Sequence, residues 1–172
     1  MSTKSTLHIS LNFDESFNNY EDIEKLKMLS GHINGFAGYV FSPDIGSVYD
    51  IPENYEKIFS ALESAGKKFF PIGCKFQELK LNKNYLRMYY YPDDKKILNK
   101  FREHMRSMDV LFVDSIEEDL YFSIEIDNVD IEKASSLIDE YIPTKKHISF
   151  ISASIRKFNN KKTRLYYQTV IY

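Results

Sequence analysis

The feature that most constrains the fold is the C-terminal stretch from Lys145 to Tyr172, which reads KKHISFISASIRKFNNKKTRLYYQTVIY. Apolar and polar residues alternate on both sides of the string FNNKK, a pattern that predicts two antiparallel strands joined by a polar turn. The stretch holds seven Lys or Arg residues and no Asp or Glu. The segment before it, Asp109 to Glu140, has eleven acidic residues and the single base Lys133. The net charge of −2 therefore conceals a locally basic end.

The composition indicates a water-soluble protein with enough apolar residues for a core. The chain has 172 residues, of which 43% are hydrophobic and 28% charged, and this length suits one compact domain or two small ones. The lone Cys74 excludes an internal disulfide and a cysteine-based zinc site, and we expect it to be a small buried residue. No apolar run has the length of a membrane span and the N-terminus MSTKST lacks a signal-peptide core, so a cytoplasmic location is expected.

Alternating and helical periodicities along the chain predict an α+β fold. Leu7 to Phe13 alternates as a half-buried strand, and Tyr20 to Ser30 has helical spacing that ends at Gly31. Further strands are predicted over 35–42, 68–81, 84–91, 110–113 and 120–126, and further helices over 51–66, 93–108 and 130–142. This order predicts a ferredoxin-like domain over residues 1–116 and a smaller α/β part over 117–172 that ends in the hairpin.

Two histidines share a short motif, because His8 and His147 each begin the string H-I-S. Paired His-x-Ser strands resemble the motifs of two-histidine phosphoesterases, in which both imidazoles flank a phosphodiester and perform acid–base chemistry. The two motifs are 139 residues apart, further than that family's usual repeat. Among the other two histidines, His104 is interpreted as a solvated helix residue. For each of these histidines, the alternative to a catalytic role is a surface or packing role.

His32 lies in a different context, at the end of the first predicted helix in KLKMLSGHINGF and before the strand GYVFSP. This order resembles the start of the type I-F (Csy-type) CRISPR repeat-cleaving endoribonucleases. LRMYYYPDDKKILNKF and LYFSIEIDNVDIEKASSLIDEY resemble that family's following strand–helix pairs. SFISASIRKFNNKKTRLYY resembles its Ser-x-Ser strand and Arg-Leu-aromatic strand. The resemblance covers most of the chain in order, with residues 44–80 as an insertion.

The resemblance implies an antiviral-defence endonuclease that binds and cleaves structured repeat RNA without a metal or other cofactor. His32 would orient or deprotonate the 2′-hydroxyl, and Ser152 or Ser154 would hold the ribose. The product would stay bound within a surveillance complex with other protein subunits, and no membrane would be involved. Phosphate contacts would come from the C-terminal bases, which are Lys145, Lys146, Arg156, Lys157, Lys161, Lys162 and Arg164.

One departure from this family keeps a third hypothesis open. The family binds RNA through an Arg-rich helix, whereas the corresponding helix here, 130–142, is acidic. A small binding protein, such as a toxin-neutralising immunity protein or an inhibitor, would instead dock the acidic segment Asp109 to Glu140 on a basic partner. The endoribonuclease requires His32 near Ser152 or Ser154, and the two-histidine phosphoesterase requires His8 beside His147.

Overall fold

The computed structural model describes residues 5–13, 20–34, 40–113, 119–126, 131–138, 147–159 and 162–170. The strands are β1 (Thr6–Phe13), β2 (Val40–Phe41), β3 (Asp44–Tyr49), β4 (Ile72–Leu81), β5 (Tyr85–Pro92), β6 (Leu120–Glu125), β7 (His147–Asn159) and β8 (Lys162–Val170). The helices are α1 (Tyr20–Asn34), α2 (Tyr55–Phe69), α3 (Ile97–Ser107) and α4 (Ile131–Ile138), with a short 3-10 helix over Pro52–Asn54. The predicted α+β class is confirmed.

All eight strands belong to one antiparallel sheet. Seven of them follow the order β2-β6-β5-β4-β7-β1-β3, and β8 lies off this path and pairs with β7. The predicted C-terminal hairpin is present as β7 and β8, and β7 is central because it pairs with β1 along one edge. Along its other edge, β7 pairs first with β4 and then with β8. The predicted domain boundary at residue 117 lies outside the described residues, and the sheet contains strands from both sides of it.

The sheet has a core face and a polar face, which the registers define. Ile9 and Leu11 of β1 lie opposite Ile155 and Ala153 of β7, and these four side chains are buried. On the other face, residues 8, 10 and 12 lie opposite residues 156, 154 and 152. A bulge in β7 near Ile151 then brings Phe150, rather than Ile151, onto the core face, because positions 11 and 13 pair with 153 and 150.

This bulge corrects the face assignment that strict alternation predicts for β7. Alternation alone places Phe150 with Ser152, whereas the structure buries Phe150 with Ala153. The same core face continues through β4, β5 and β6, where its buried side chains include Ile72, Cys74, Leu86, Met88, Tyr90, Phe122 and Ile124. Burial raises the pKa of the Cys74 thiol to about 12, so this thiol is an inert core residue, as its lone position predicts.

The sheet curls so that its polar face is concave. The order begins with β2 and ends with β3, yet only Ser42 and Pro43 separate these strands, and three Cα–Cα steps span at most about 11 Å. β3 also contacts β6. Buried residues of α1, α2 and α3 belong to the same hydrophobic core as the strand residues of the core face. Because the interior of so small a curled sheet holds only side chains, the helices lie on the convex side.

The predicted end of the first helix is wrong for an identifiable reason. The first helix continues past Gly31 to Asn34, because glycine lowers helix stability by about 1 kcal/mol without forcing an end. The segment 44–80, interpreted as an insertion, contains β3, α2 and most of β4. β3 does not show the alternation of apolar and polar residues, because it has a bulge against β1 at Gly46. The φ of Gly46 is 153°, a value that favours glycine. The predicted strand at 110–113 is a single bridge between Phe112 and Val48.

A buried carboxylate joins three parts of the chain on the side of β3. Asp50, with a side chain 6% exposed, accepts hydrogen bonds from Lys157 at 2.5 Å, Ser5 at 2.8 Å and the Tyr55 hydroxyl. Burial alone would raise its pKa, but the hydrogen bonds from Lys157, Tyr55 and Ser5 outweigh burial and lower the pKa below the ordinary value. The ionised form of Asp50 therefore stabilises the folded chain.

The lowered pKa predicts an acid-sensitive contribution to stability from Asp50. Because the folded-state pKa lies below the unfolded value of about 3.9, the contribution is complete above about pH 5 and is lost as the pH falls through the folded-state pKa. We expect the wild type to have a larger free energy of unfolding than Asp50→Asn at pH 7. We expect this difference to shrink between about pH 5 and pH 2. Urea denaturation across this range measures the difference. A difference that stays constant with pH would contradict the lowered pKa of Asp50.

No helix among the described residues is both long enough and apolar enough to cross a membrane.

Candidate functional site

The concave polar face carries a cluster of polar side chains on β1, β3 and β7. Alternation in β1 directs His8, Ser10 and Asn12 to this face, since the intervening Ile9 and Leu11 are buried in the core. The bulge at Gly46 aligns Asp44 of β3 with Ser10, and residues 152, 154 and 156 of β7 complete the row on the other side. We call the seven residues His8, Ser10, Asn12, Asp44, Ser152, Ser154 and Arg156 the polar-face cluster.

Asp44 fixes one end of the polar-face cluster. Its Oδ2 lies 3.0 Å from Nδ1 of His8, and its Oδ1 accepts a hydrogen bond of 2.5 Å from the Ser10 hydroxyl. The His8 and Asp44 side chains are 30% and 39% exposed, so the pair is within reach of solvent. An imidazole whose Nδ1 donates to a carboxylate presents Nε2 as its basic nitrogen, which is the arrangement that general acid–base chemistry uses.

Asn12 organises the other end. Its Nδ2 donates to Ser154 Oγ at 2.6 Å and to Ser152 Oγ at 3.1 Å, and its Oδ1 accepts from Nη2 of Arg156 at 3.2 Å. Ser152 and Ser154 are only 3% and 1% exposed. The two serines therefore brace Asn12, and through it Arg156, rather than form the surface of the groove.

His8 and Arg156 face each other across the β1–β7 ladder, because they are register partners. Cβ atoms of directly opposed residues are about 4.5–5.5 Å apart. A carboxylate-oriented imidazole and a guanidinium are thus adjacent on the concave side of the sheet. This combination can bind an anionic ester and move a proton at it.

The predicted pairing of His8 with His147 is wrong. His147 pairs with Lys75 of β4, nine residues along β7 from the partner of His8, or roughly 30 Å at about 3.3 Å per residue. The His147 ring instead contacts Asp93, with Nε2 and Oδ2 2.8 Å apart, above Gly73. A Cβ atom on Gly73 would lie 2.4 Å from that carboxylate oxygen, so a larger residue there would displace the Asp93 side chain from its present position.

The proposed endoribonuclease residues are placed only in part. Ser152 and Ser154 share the polar face, because they lie two residues apart on β7. His32 lies in the last turn of α1, and its side chain is outside the described residues, so its distance from the serines stays a prediction. His104, expected to be solvated, is half-buried and contacts Ser64 of α2 with 2.8 Å between Nε2 and Oγ.

Of the predicted phosphate-binding bases, two have described side chains. Arg156 belongs to the polar-face cluster, whereas Lys157 is engaged by the buried Asp50. Lys162 and Arg164 belong to β8, of which the structure describes the backbone but not these two side chains. Lys145, Lys146 and Lys161 lie outside the described residues altogether, as do parts of the acidic segment 109–140.

Sequence reasoning missed Asp44 and Asn12. Asn12 was visible only as one of three polar residues in an alternating strand, a position that any surface strand fills. Asp44 belongs to a segment interpreted as an insertion. Its position after Pro43 gives no sign that it reaches a histidine 36 residues earlier.

No protein-family model matches the chain, and no curated protein matches it. A solved structure described as "Crystal structure of phosphoesterase" superposes with a TM-score of 0.55 at 9% sequence identity, and the superposition covers 98% of each chain. The chain therefore shares its α+β fold with this phosphoesterase along nearly its whole length. Among the described residues, no group of three or more His, Cys, Asp and Glu side chains is arranged to hold a metal ion.

Proposed function

We propose that the protein is a phosphoesterase that binds an RNA phosphodiester in its concave polar groove and cleaves it with His8 as the acid–base group. The observation that carries this proposal is the His8–Asp44 pair, with 3.0 Å between Nδ1 and Oδ2, beside Arg156 on the neighbouring strand. The fold shared with a phosphoesterase supports the same class. The RNA substrate rests on the basic C-terminal hairpin and on the resemblance to CRISPR repeat-cleaving endoribonucleases.

The proposed reaction needs one proton acceptor and one cation at the phosphate. Nε2 of His8 takes the proton of the ribose 2′-hydroxyl, and the 2′-oxygen forms a bond to phosphorus while the bond from phosphorus to the 5′-oxygen breaks. Water protonates the leaving 5′-oxygen, the hydroxide that remains takes the proton back from Nε2 of His8, and a 2′,3′-cyclic phosphate is left. The Arg156 guanidinium, held by Asn12, offsets the charge that develops on the phosphoryl oxygens.

Cleavage of a single-stranded oligoribonucleotide in excess EDTA tests this function. We expect products that end in 2′,3′-cyclic phosphate, and we expect no cleavage when the scissile ribose is replaced by 2′-deoxyribose, because the attacking oxygen is then absent. Mass spectrometry of the products identifies the termini. Cleavage of the deoxy substrate at an equal rate would contradict attack by the 2′-oxygen.

The repeat-cleaving endoribonuclease with His32 as its base is the second candidate, and it rests on the resemblance. Ser152 and Ser154 share one strand face but are buried against Asn12, so in this scheme they would have to become exposed to hold the ribose. This candidate differs from the first in a single measurable respect. His32→Gln would abolish cleavage of repeat RNA in this scheme, whereas His8→Gln would leave it unchanged. If no RNA binds even at low salt, both candidates fail and the binding protein with the acidic segment 109–140 is supported instead.

A further inference from the structure

A second basic site lies on the polar face, at β5 and β6. The guanidinium carbon of Arg87 is 3.8 Å from the ring centroid of Tyr85 and 4.3 Å from that of Tyr121. Tyr85 precedes Arg87 by two residues on β5, and Tyr121 lies opposite Tyr89, two residues after it. The two rings therefore flank Arg87 on opposite sides along the strand. Nε of Arg87 also reaches Ser123 Oγ at 3.4 Å, and a further side-chain hydrogen bond joins Arg87 to Tyr89.

These contacts orient the guanidinium without neutralising it. Among the described residues, no carboxylate forms an ion pair with Arg87. On β4, Lys80 lies opposite Arg87, and the nearby acid Glu78 lies opposite Tyr89 and is 3.0 Å from Lys80. Aromatic rings on both sides of an arginine restrict its rotamers and leave the edge of its planar fork as the donor surface, which is the geometry that binds phosphate oxygens with two hydrogen bonds.

The curl of the sheet brings this site close to the polar-face cluster. Ser123 pairs with Phe41 of β2, and Asp44 follows Phe41 by three residues before it contacts His8. Each of those three steps covers at most about 3.8 Å, and paired strands are about 4.8 Å apart. Arg87 and the His8–Asp44 pair thus face the same side of the curled sheet, with a path of at most about 21 Å between their backbones.

We infer that Arg87 binds a second phosphate of the same ligand, one nucleotide away from the phosphodiester at His8 and Arg156. This inference rests on the proposed function for the identity of the first phosphate. It makes the ligand a strand that carries at least two phosphate groups, rather than a mononucleotide or a dinucleotide with a single phosphodiester. Arg87 contributes binding energy and register, and the reacting atoms stay at His8.

Two dinucleotides that differ by one phosphate test the inference. The ¹⁵N–¹H correlation of Arg87 Nε, assigned by its loss in Arg87→Lys, is followed while UpU or 5′-phosphorylated UpU is added, each with 2′-deoxyribose at the scissile position so that it is not cleaved. We expect the phosphorylated dinucleotide to shift this signal and to bind about 10- to 100-fold more tightly than UpU, the range for hydrogen bonds to a charged group. In Arg87→Met, whose side chain still fills the space between the rings, we expect the two dinucleotides to bind equally.

Arg106→Met is the matched control, because Arg106 also lies over an aromatic ring, that of Phe112, but is exposed on α3. This variant should keep the wild-type preference for the phosphorylated dinucleotide. An equal shift of the Arg87 signal by both dinucleotides, or by neither, overturns the second-phosphate site. If the wild type does not cleave the oligoribonucleotide but the phosphorylated dinucleotide alone shifts the Arg87 signal, the proposed reaction is overturned and the Arg87 phosphate site is supported.

Discussion

Replacing His8 by glutamine is expected to lower kcat for cleavage of an oligoribonucleotide by about 10²- to 10⁴-fold, the range for loss of a general acid–base group. Glutamine can keep a hydrogen bond to Asp44, whose carboxylate lies 3.0 Å from the His8 ring, but it cannot take a proton at Nε2. KM should change little, because Arg156 and its Asn12 support remain. Steady-state rates and single-turnover rates at saturating enzyme measure the effect.

His147→Gln is the control for this prediction, since His147 is an exposed strand residue whose ring contacts Asp93. It should cleave at the wild-type rate. Equal losses in His8→Gln and His147→Gln would restore the two-histidine scheme and contradict the β7 register. A loss confined to His32→Gln would move the base to α1 and support the repeat-cleaving endoribonuclease.

Replacing Lys157 by methionine is expected to lower the free energy of unfolding by about 2–3 kcal/mol. Removing one partner of a fully buried ion pair costs about 3–5 kcal/mol. The loss here is smaller because the Lys157 side chain is 30% exposed, although Asp50 is only 6% exposed. The cost comes from the Asp50 carboxylate, which keeps its burial and loses its cation. Chemical denaturation at pH 7 measures it.

The double variant Asp50→Asn with Lys157→Met separates this cause from simple loss of packing. A neutral amide at position 50 can still accept from Ser5 and Tyr55, which both contact Asp50. We therefore expect the double variant to be more stable than Lys157→Met alone. If the two single losses add fully, the lysine stabilises through its aliphatic chain and the ion pair has no specific role.

Local patterns in the sequence predicted the elements that bury a regular apolar face. β1, α3, β5 and the β7–β8 hairpin were all identified, because period-2 and period-3.6 spacing of apolar residues follows directly from backbone geometry. β3 was missed because its bulge at Gly46 breaks the alternation. Strict alternation along β7 gives the wrong faces for the same reason, since one extra residue shifts every following side chain to the other face.

The candidate site was predictable in its residue types but not in its partners. The sequence indicated that histidine, serine and basic residues occupy alternating strands, and it named His8, Ser152, Ser154 and Arg156 among others. It could not show that His8 lies opposite Arg156 rather than near His147, because strand register is set by packing and bulges across 148 residues of chain. Asp44 and Arg87 acquire their roles only from the strands that flank them.

The sequence by itself determined an α+β chain with a basic C-terminal hairpin, since periodicity and composition are local properties that no tertiary contact alters. The tertiary structure decided that β7 of this hairpin becomes a central strand of a curled sheet and that its serines are buried supports for Asn12. It also decided that Asp44 and Arg87 meet the His8 groove from strands distant in sequence. β2 pairs with β6 at one end of the strand order, and β3 pairs with β1 at the other end. These two pairings join residues distant in sequence, and they bring the groups together.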